Sequence, residues 1–343
     1  MSTVKHLVFI QPVVTAYRIP LFKDLSDRLN GNFSVYADLP SKDFGVDDYS
    51  GIGFSRIIWY RLGPVWMFSL REFFRMWRRG SHFIHYADFK CLSLWLLLLM
   101  QLFSSKKVFL HGQGGYKKKG RLATAVYRLA VRISTGYIAY TEWSADELRK
   151  RLPISLHSKV SYVNNSLYLE PVESPVSDTA KDILFIGRLR KGSNIEMLLQ
   201  AANDLKLVVH VVGAGESSYE ALLRSRFPDH KYYGAVYDWH SQVEISRNCF
   251  VGVYPGDAGL SVVTYLALGL PVVVHNDLYS HMGPEPSYID SDVGYLFERG
   301  NVNELEVAIE NVMRKCKTFS QNSSIKFKQL SGEFMSDEFL RII

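Results

Sequence analysis

The chain has 343 residues, 47% of them hydrophobic, and a formal net charge of +6. This length and apolar content suffice for two globular domains with separate cores, with a single large domain as the alternative. Three widely spaced cysteines, Cys91, Cys249 and Cys316, form no paired pattern, which argues against a disulfide framework or a cysteine metal site and favours a reducing cytoplasm.

The first half alternates short apolar strands with longer helical stretches, which is the rhythm of a parallel α/β sheet. The first residues, MSTVKHLVFIQP, predict a strand. They lack the apolar core and cleavage site of a secretory signal, so we expect a protein that is not exported. The strands predicted in this half are residues 6–11, 33–38, 82–87, 108–112, 136–141 and 160–165.

Positive charge is concentrated in the first half. Residues 1–170 hold 24 Lys and Arg against 12 Asp and Glu, a net of +12, whereas the remainder holds 16 against 22, a net of −6. Between Arg61 and Arg132 basic residues alternate with aromatic ones, which suits an anionic membrane surface, with a merely solvated basic face as the alternative. Nucleic acid is not expected, because no helix-turn-helix, zinc-finger or RNP signature accompanies the patch. The apolar run 92–103 is shorter than the ~20 residues that span a bilayer and predicts a buried helix.

Residues 167–180 carry two prolines, several acids and no periodicity, and they predict a linker between domains. A second series of strands follows at 181–187, 207–213, 232–236, 250–255 and 271–276, with helices such as 194–205 and 217–226 between them. The predicted fold class is α/β, with two doubly wound, Rossmann-like domains facing each other across a cleft and binding ligands at the carboxyl ends of their strands. The predicted boundaries are a first domain at 1–168, a linker at 169–180, a second domain at 181–320 and a helical tail at 321–343, whose return to the first domain is left open.

The loop after strand 181–187 reads GRLRKG and places Gly187, Arg188 and Lys191 where a diphosphate would lie. Negative charge builds on a diphosphate as it leaves a sugar, and fixed cations stabilise that charge. Arg190 competes with Lys191 for this role, and a solvated basic loop is the alternative.

Further along, Gly213 and Gly215 are two of the three glycines of a dinucleotide fingerprint. They either form a tight turn or let a phosphate or base approach closely.

The most informative segment is residues 256–277, GDAGLSVVTYLALGLPVVVHND, in which a glycine-rich turn runs into a helix and then into an apolar strand. The turn leaves the backbone N–H groups of Gly259, Leu260 and Ser261 for an anion, and the start of the helix adds its positive dipole end. The pattern therefore predicts a phosphate site.

This segment and GRLRKG resemble the donor motif of the retaining family-4 glycosyltransferases of GT-B fold, of the bacterial surface-polysaccharide type. The resemblance is strong over residues 181–300 and weak in the first domain. The two acidic positions of the family fall on Gly256 and Thr264, with Asp257 one residue out of register. We expect Thr264 to replace the ribose-binding carboxylate and Asp257 to contact the donor sugar.

The resemblance implies further site residues. Ala235 and Val236 would read the nucleobase through their backbone, and His111, at the end of strand 108–112, would face the reacting sugar as a catalytic-site residue unless it is structural. Tyr17 and Arg18 follow the first strand and would bind the acceptor, against the alternative of a plain helix start.

We expect no metal and no cofactor beyond the nucleotide-sugar substrate. The sequence Asp290-Ser291-Asp292 spells an Asp-x-Asp, but it follows no apolar strand and predicts a surface turn. No protein nucleophile is evident, which suits a front-face displacement in which the leaving diphosphate accepts the proton of the acceptor.

The predicted function is transfer of a sugar from a UDP- or GDP-linked donor to a lipid-linked or oligosaccharide acceptor. The resemblance implies lipopolysaccharide or O-antigen synthesis by a peripheral protein on the cytoplasmic face of the inner membrane. Two alternatives are a catalytically silent sugar-binding or scaffold member, suggested by the missing acids, and a sugar-nucleotide epimerase, which would need paired carboxylates.

Overall fold

The protein is described from a computed structural model that covers residues 4–39, 49–118, 120–173, 176–177 and 179–343. Lys119 of the predicted basic patch and residues 174, 175 and 178 of the predicted linker lie outside the described residues. The chain divides into two compact units, Met1–Tyr168 with Gly332–Ile343, and Leu169–Ser331.

The first unit is built on a seven-stranded parallel sheet, in the order β3-β2-β1-β6-β7-β8-β9, and a separate antiparallel hairpin, β4-β5. Its strands are β1 (Leu7–Val13), β2 (Phe33–Asp38), β3 (Ser55–Arg56), β4 (Trp59–Leu62), β5 (Val65–Phe68), β6 (His82–Tyr86), β7 (Lys107–Gly112), β8 (Gly136–Ala139) and β9 (Val160–Tyr162). Its α-helices are α1 (Ile19–Arg28), α2 (Leu70–Arg79), α3 (Leu92–Gln101), α4 (Arg121–Ile133), α5 (Glu142–Arg149) and, from the end of the chain, α11 (Gly332–Ile342).

The second unit is a six-stranded parallel sheet in the order β12-β11-β10-β13-β14-β15. Its strands are β10 (Asp182–Ile186), β11 (Val209–Val212), β12 (Lys231–Gly234), β13 (Cys249–Tyr254), β14 (Val272–His275) and β15 (Gly294–Phe297). Its α-helices are α6 (Ile195–Asp204), α7 (Ser217–Arg226), α8 (Trp239–Ser246), α9 (Ser261–Ala267) and α10 (Val302–Leu330). In sequence order within the unit, the strands lie 3-2-1-4-5-6, which is the Rossmann order, so the predicted α/β, doubly wound class is confirmed.

Both faces of the central strands are buried, which explains their nearly continuous apolar sequences. In β1, Val8 and Ile10 contribute to one core cluster of the first unit, and Leu7 and Phe9 to another. Because side chains alternate along a strand, two clusters on opposite faces need apolar residues at successive positions.

The helical end of the chain is divided between the units. Helix α10 has a kink at Lys315 and belongs to the second unit, whereas α11 belongs to the first. The ring of Phe339 is fully buried, and its centroid lies 5.7 Å from Phe9 and 5.2 Å from His111. An ion pair between Arg28 and Asp337 joins α11 to α1.

The predicted linker packs on the second unit. The N–H of Val172 donates to the carbonyl of Ala267 at 2.8 Å, and the N–H of Val176 donates to Ser320 Oγ at 3.0 Å. These bonds give the segment fixed partners, which its irregular sequence did not indicate.

The apolar run 92–103 is helical only as far as Gln101, and this helix is partly buried, in contrast to the expected buried helix. Leu94, Leu97 and Leu98 are fully buried, whereas Leu99 is 51% exposed. Among the described residues, no helix combines the length and apolar character needed to cross a membrane.

Replacing Phe339 tests whether α11 is part of the first core. We expect Phe339→Ala to lower the free energy of unfolding by about 3–5 kcal/mol, because a fully buried ring leaves a cavity. Phe334→Ala, in the same helix at a side chain that is 45% exposed, is the matched control and should cost much less. Urea denaturation measures both, and equal losses would contradict the assignment.

Candidate functional site

The switch point of the second sheet brings two predicted site loops together. Strands β10 and β13 are neighbours at the centre of the sheet. The chain continues from β10 to β11 on one side of this pair and from β13 to β14 on the other. The segments 187–192 and 255–260 therefore meet at the carboxyl edge of the sheet, where open parallel sheets bind ligands.

The two loops pack backbone against backbone at Gly256. A Cβ atom there would lie 2.2 Å from the carbonyl oxygen of Gly192, and the next N–H, of Asp257, donates to that oxygen at 3.0 Å. A side chain at position 256 would collide with the 187–192 loop. The absence of an acid at this position thus has a steric cause.

A second close contact involves the two glycines of the fingerprint-like segment. A Cβ at Gly213 would lie 1.8 Å from the carbonyl oxygen of Gly187, and one at Gly215 would lie 2.0 Å from that of Leu189. The N–H of Gly213 also donates to the carbonyl of Gly234 at 2.7 Å. Packing of the loops on one another is sufficient to require both glycines, which favours the tight-turn interpretation.

The loop after β12 holds the residues predicted to read the nucleobase. Ala235 is exposed and Val236 half-buried. The carbonyl oxygen of Val236 accepts a hydrogen bond from Gln242 Nε2 at 2.8 Å, which ties the loop to α8.

The 256–260 turn presents a row of donors. Within the described residues, no hydrogen bond uses the backbone N–H groups of Gly259, Leu260 or Ser261, and all three residues are half-buried. The next N–H, of Val262, already donates to the carbonyl of Gly259 at 3.1 Å. The predicted anion donors are therefore available at this edge of the sheet.

Two histidines that the sequence reasoning missed lie beneath this turn. His281 Nδ1 accepts a hydrogen bond from the N–H of Ala258 at 3.1 Å, and its Nε2 donates to the carbonyl of His275 at 2.9 Å. The rings of His275 and His281 stack with centroids 3.7 Å apart. Burial lowers the pKa of His281 to about 4, so the ring is neutral at pH 7 and keeps the lone pair that holds Ala258. No pattern in the sequence signals this pair.

The three basic residues of GRLRKG are all exposed, but they are not equivalent. The guanidinium of Arg190 contacts Met282 Sδ at 2.7 Å and the hydroxyl of Tyr254. Met282 in turn donates its N–H to the carbonyl of Ala258 at 2.8 Å, so Arg190 lies beside the 256–260 turn. Lys191 opens a short 3-10 turn at Lys191–Ser193. Arg190 thus contacts the neighbourhood of the turn through Met282, and the choice between Arg190 and Lys191 as the residue that binds a diphosphate stays a prediction.

Asp257 and Thr264, the residues expected to replace the missing acids, have partners of their own. Asp257 Oδ1 accepts from Arg299 Nη2 at 3.0 Å and lies 3.6 Å from His275 Nε2. Thr264 is 8% exposed, and its hydroxyl donates to the carbonyl of Leu260 at 3.4 Å within α9. Arg299, which neutralises Asp257, was not found from the sequence.

His111 is at the end of β7 in the first unit and is only 2% exposed. Its Nδ1 lies 2.9 Å from the carbonyl oxygen of Ile138 and must carry the proton, since a carbonyl only accepts. Burial, together with Arg18, lowers the pKa of the ring to about 3. Its Nε2 is a buried acceptor without a hydrogen-bond partner in the part of the chain that the structure describes.

The two residues predicted to bind the acceptor differ in exposure. Tyr17 is 41% and Arg18 only 3% exposed. The guanidinium of Arg18 donates to Asn165 Oδ1 at 2.5 Å and lies 5.9 Å from the ring centroid of Tyr140. Arg18 is thus held inside the first unit, and only Tyr17 is open to solvent.

The described residues contain no group of three or more His, Cys, Asp or Glu arranged to hold a metal ion. The Asp-x-Asp segment forms a turn, in which the N–H of Asp292 donates to Asp290 Oδ1 at 3.0 Å. Lys326 pairs with the other carboxylate oxygen of Asp290 at 3.0 Å.

One family model matches part of the chain. Residues 170–324 match the family model described as "Glycosyl transferases group 1". That span covers most of the second unit, including the loops at its switch point. No curated protein matches the chain.

Solved structures extend the likeness to both units. Anabaena HepE in complex with UDP is 13% identical, with a TM-score of 0.73 over 98% of each chain. The apo lipopolysaccharide outer core galactosyltransferase WaaB is 14% identical, with a TM-score of 0.70 over 98% of each chain. A glycosyltransferase from Rickettsia africae is 10% identical, with a TM-score of 0.69 over 98% of this chain and 97% of its own. At these identities the likeness shows the fold, which is GT-B.

The contact at Gly256 can be tested by adding a single carbon. We expect Gly256→Ala to lower the free energy of unfolding by about 1–3 kcal/mol, because its Cβ would overlap the carbonyl of Gly192. Gly259→Ala is the matched control in the same turn, since the nearest heavy atom to its Cβ would be 3.7 Å away. Thermal unfolding distinguishes them. Unchanged stability of Gly256→Ala would refute the steric explanation for the missing acid.

Proposed function

We propose that the protein is a glycosyltransferase that moves a sugar from a nucleotide-diphosphate donor, UDP- or GDP-linked, to a lipid-linked or oligosaccharide acceptor. The observation that carries the proposal is a row of available N–H groups at Gly259, Leu260 and Ser261 beside the cation of Arg190, within a segment that matches the group 1 model. Fixed donors and a cation at one sheet edge stabilise the charge of a leaving diphosphate.

The proposed reaction proceeds with retention and without a metal or a protein nucleophile. The bond between the anomeric carbon and the diphosphate breaks, the acceptor oxygen bonds to that carbon on the same face, and the acceptor's proton passes to a diphosphate oxygen. Arg188, Arg190 and Lys191 supply cations to the departing group. His111, neutral with an available Nε2, is suited to accept a hydrogen bond from a sugar hydroxyl.

Asp257 and Thr264 keep supporting roles in this proposal. Thr264 offers a hydroxyl oxygen to the ribose, and Asp257, partly neutralised by Arg299, contacts the donor sugar. The same two positions favour the second candidate function, a silent sugar-binding member, because neither provides the acid pair of the family.

Removing the loop cations tests the transferase assignment. We expect Arg190→Ala and Lys191→Ala each to reduce kcat/KM by on the order of 10², because the leaving charge loses a fixed partner. Arg247→Ala, an exposed cation paired with Glu244 outside the loops, is the control and should retain activity. Steady-state assays follow a thermal-shift screen of UDP- and GDP-sugars, in which a donor at 100 times its Kd adds ~2.7 kcal/mol of stability.

Three results of these assays have distinct meanings. Unchanged kinetics in both loop variants would remove the diphosphate assignment. Stabilisation by a nucleotide-sugar without transfer to any acceptor would favour the silent member. No stabilisation by any donor would contradict both.

We also propose that the first unit docks on the cytoplasmic face of the inner membrane during synthesis of a surface polysaccharide. Helix α2 buries Phe73 and Met76 and exposes arginines beside Phe74, which is 43% exposed. Lys106 Nζ, just beyond α3, donates to the carbonyl of Trp77 at 2.6 Å, so the exposed end of α3 lies next to the basic end of α2. Apolar side chains among cations suit an anionic bilayer surface.

A vesicle experiment tests the docking surface. We expect Arg75→Gln/Arg78→Gln/Arg79→Gln to weaken binding to anionic vesicles, since each cation near the surface contributes about 1 kcal/mol. The control is Arg224→Gln/Arg226→Gln/Arg247→Gln, which removes equal charge from the second unit. Co-sedimentation measures both. Equal losses in the two variants would show attraction by net charge alone and refute a specific surface.

A further inference from the structure

Two adjoining cavities lie in the first unit, whereas the loops assigned to the donor nucleotide belong to the second unit. The larger has a volume of about 690 Å³ and is lined mainly by basic residues, and the smaller has about 290 Å³ and is lined by aromatic residues to about half. Both are lined by Tyr116 and Lys118, so the cavities adjoin at these residues.

Among the described residues, the basic cavity is lined by the cations of Lys118, Arg121, Arg128 and Arg151 and by no carboxylate. Among the ion pairs of the described residues, none involves these four side chains. Gly120 at its rim precedes α4, whose positive dipole end faces the same space. Like charges that gather without a counterion repel one another, so this cavity is suited to an anion.

Arg151 is fixed in place by neutral acceptors. Its guanidinium donates to the carbonyl of Gly115 at 2.5 Å, to that of Lys118 at 2.7 Å and to Thr124 Oγ1 at 3.0 Å. Arg128 Nε donates to the carbonyl of Arg151 at 3.0 Å. These bonds preorganise two cations around the cavity without neutralising either, and preorganised cations favour phosphate.

The aromatic cavity is lined by tyrosines, together with His111, at the carboxyl ends of β6, β7 and β8. His111 Nε2 and the hydroxyl of Tyr86 have no hydrogen-bond partner within the described residues, although both atoms are buried. Buried polar atoms are ordinarily paired, so two at one cavity indicate a missing ligand. Aromatic faces with a few polar atoms suit a sugar ring, which is apolar on its C–H faces and polar at its hydroxyls.

We propose that the two cavities together bind a glycosyl phosphate, with its sugar against the tyrosines and its phosphate or diphosphate among the four cations. The inference rests on the proposed transferase function and gives its acceptor a chemical class, a sugar that carries a phosphate group. Lys118, which lines both cavities, contacts the ligand where sugar and phosphate join.

Calorimetry with glucose 1-phosphate and with inorganic phosphate tests the basic cavity. The background is the Arg190→Gln/Lys191→Gln protein, in which the donor loop no longer competes for phosphate. Adding Lys118→Gln/Arg121→Gln, whose side chains make no hydrogen bond that the described structure would lose, should weaken both probes at least tenfold. Adding Arg61→Gln/Lys90→Gln, two exposed cations of the same unit, removes equal charge and should leave both affinities unchanged.

The aromatic cavity is tested by Tyr86→Phe, which removes only the hydroxyl. We expect glucose 1-phosphate to bind several-fold more weakly and inorganic phosphate to bind as before. Equal effects on the two probes, or none on either, would overturn the sugar half of the proposal.

Binding to vesicles distinguishes a glycosyl phosphate from a lipid headgroup as the ligand of the basic cavity. If Lys118→Gln/Arg121→Gln reduces binding to phosphatidylglycerol vesicles but not to glucose 1-phosphate, the cavity serves the lipid surface and the proposal is wrong. Because these measurements need no turnover, their outcome is independent of whether the donor-loop variants lose activity.

Discussion

The candidate site depends on the close approach of backbone to backbone at one edge of the second sheet. The loop 187–192 lies against Gly213 and Gly215 on one side and against Gly256 on the other, at distances that leave no room for a Cβ. This packing fixes three loops relative to one another without side chains. The N–H groups at the start of α9 are consequently held in place and directed to the edge where a ligand binds.

The buried histidines His111 and His281 are neutral, and Arg18 and Arg151 of the first unit are held by neutral acceptors, whereas Arg299 of the second unit pairs with the carboxylate of Asp257. Burial lowers the pKa values of His111 and His281, so each ring offers a lone pair at pH 7. Arg18 and Arg151 donate to amide, carbonyl or hydroxyl oxygens, not to carboxylates. Cations held in this way retain their attraction for a phosphate, which a carboxylate partner would cancel.

The fold and the family match support each other, but they cover different parts of the chain. The GT-B fold extends over both units, whereas the group 1 model covers residues 170–324. The first unit therefore has to be interpreted from its own residues. Its basic and aromatic surfaces are the basis of the two proposals made for this unit, a phosphorylated acceptor and an anionic membrane, and the test of neither proposal depends on the donor site.

The sequence by itself determined the sheet strands that are buried on both faces, because mainly apolar runs such as those predicted at 181–187 and 250–255 are visible locally. The structure places these two strands at Asp182–Ile186 and Cys249–Tyr254. It also predicted the helix Ser217–Arg226 at its observed bounds. It missed β3, β4, β5 and β15, which are short and partly exposed, and therefore lack that signal.

Only the tertiary structure decided which polar residues meet. Arg190 reaches Met282 across 92 positions, and Asp257 reaches Arg299 across 42. Such pairs leave no periodicity or spacing in the chain, because they are set by the order of strands in the sheet. The sequence could therefore name the loops of the candidate site, whereas the contact of Arg190 with Met282, the pairing of Asp257 with Arg299 and the steric exclusion of a side chain at Gly256 follow from packing alone.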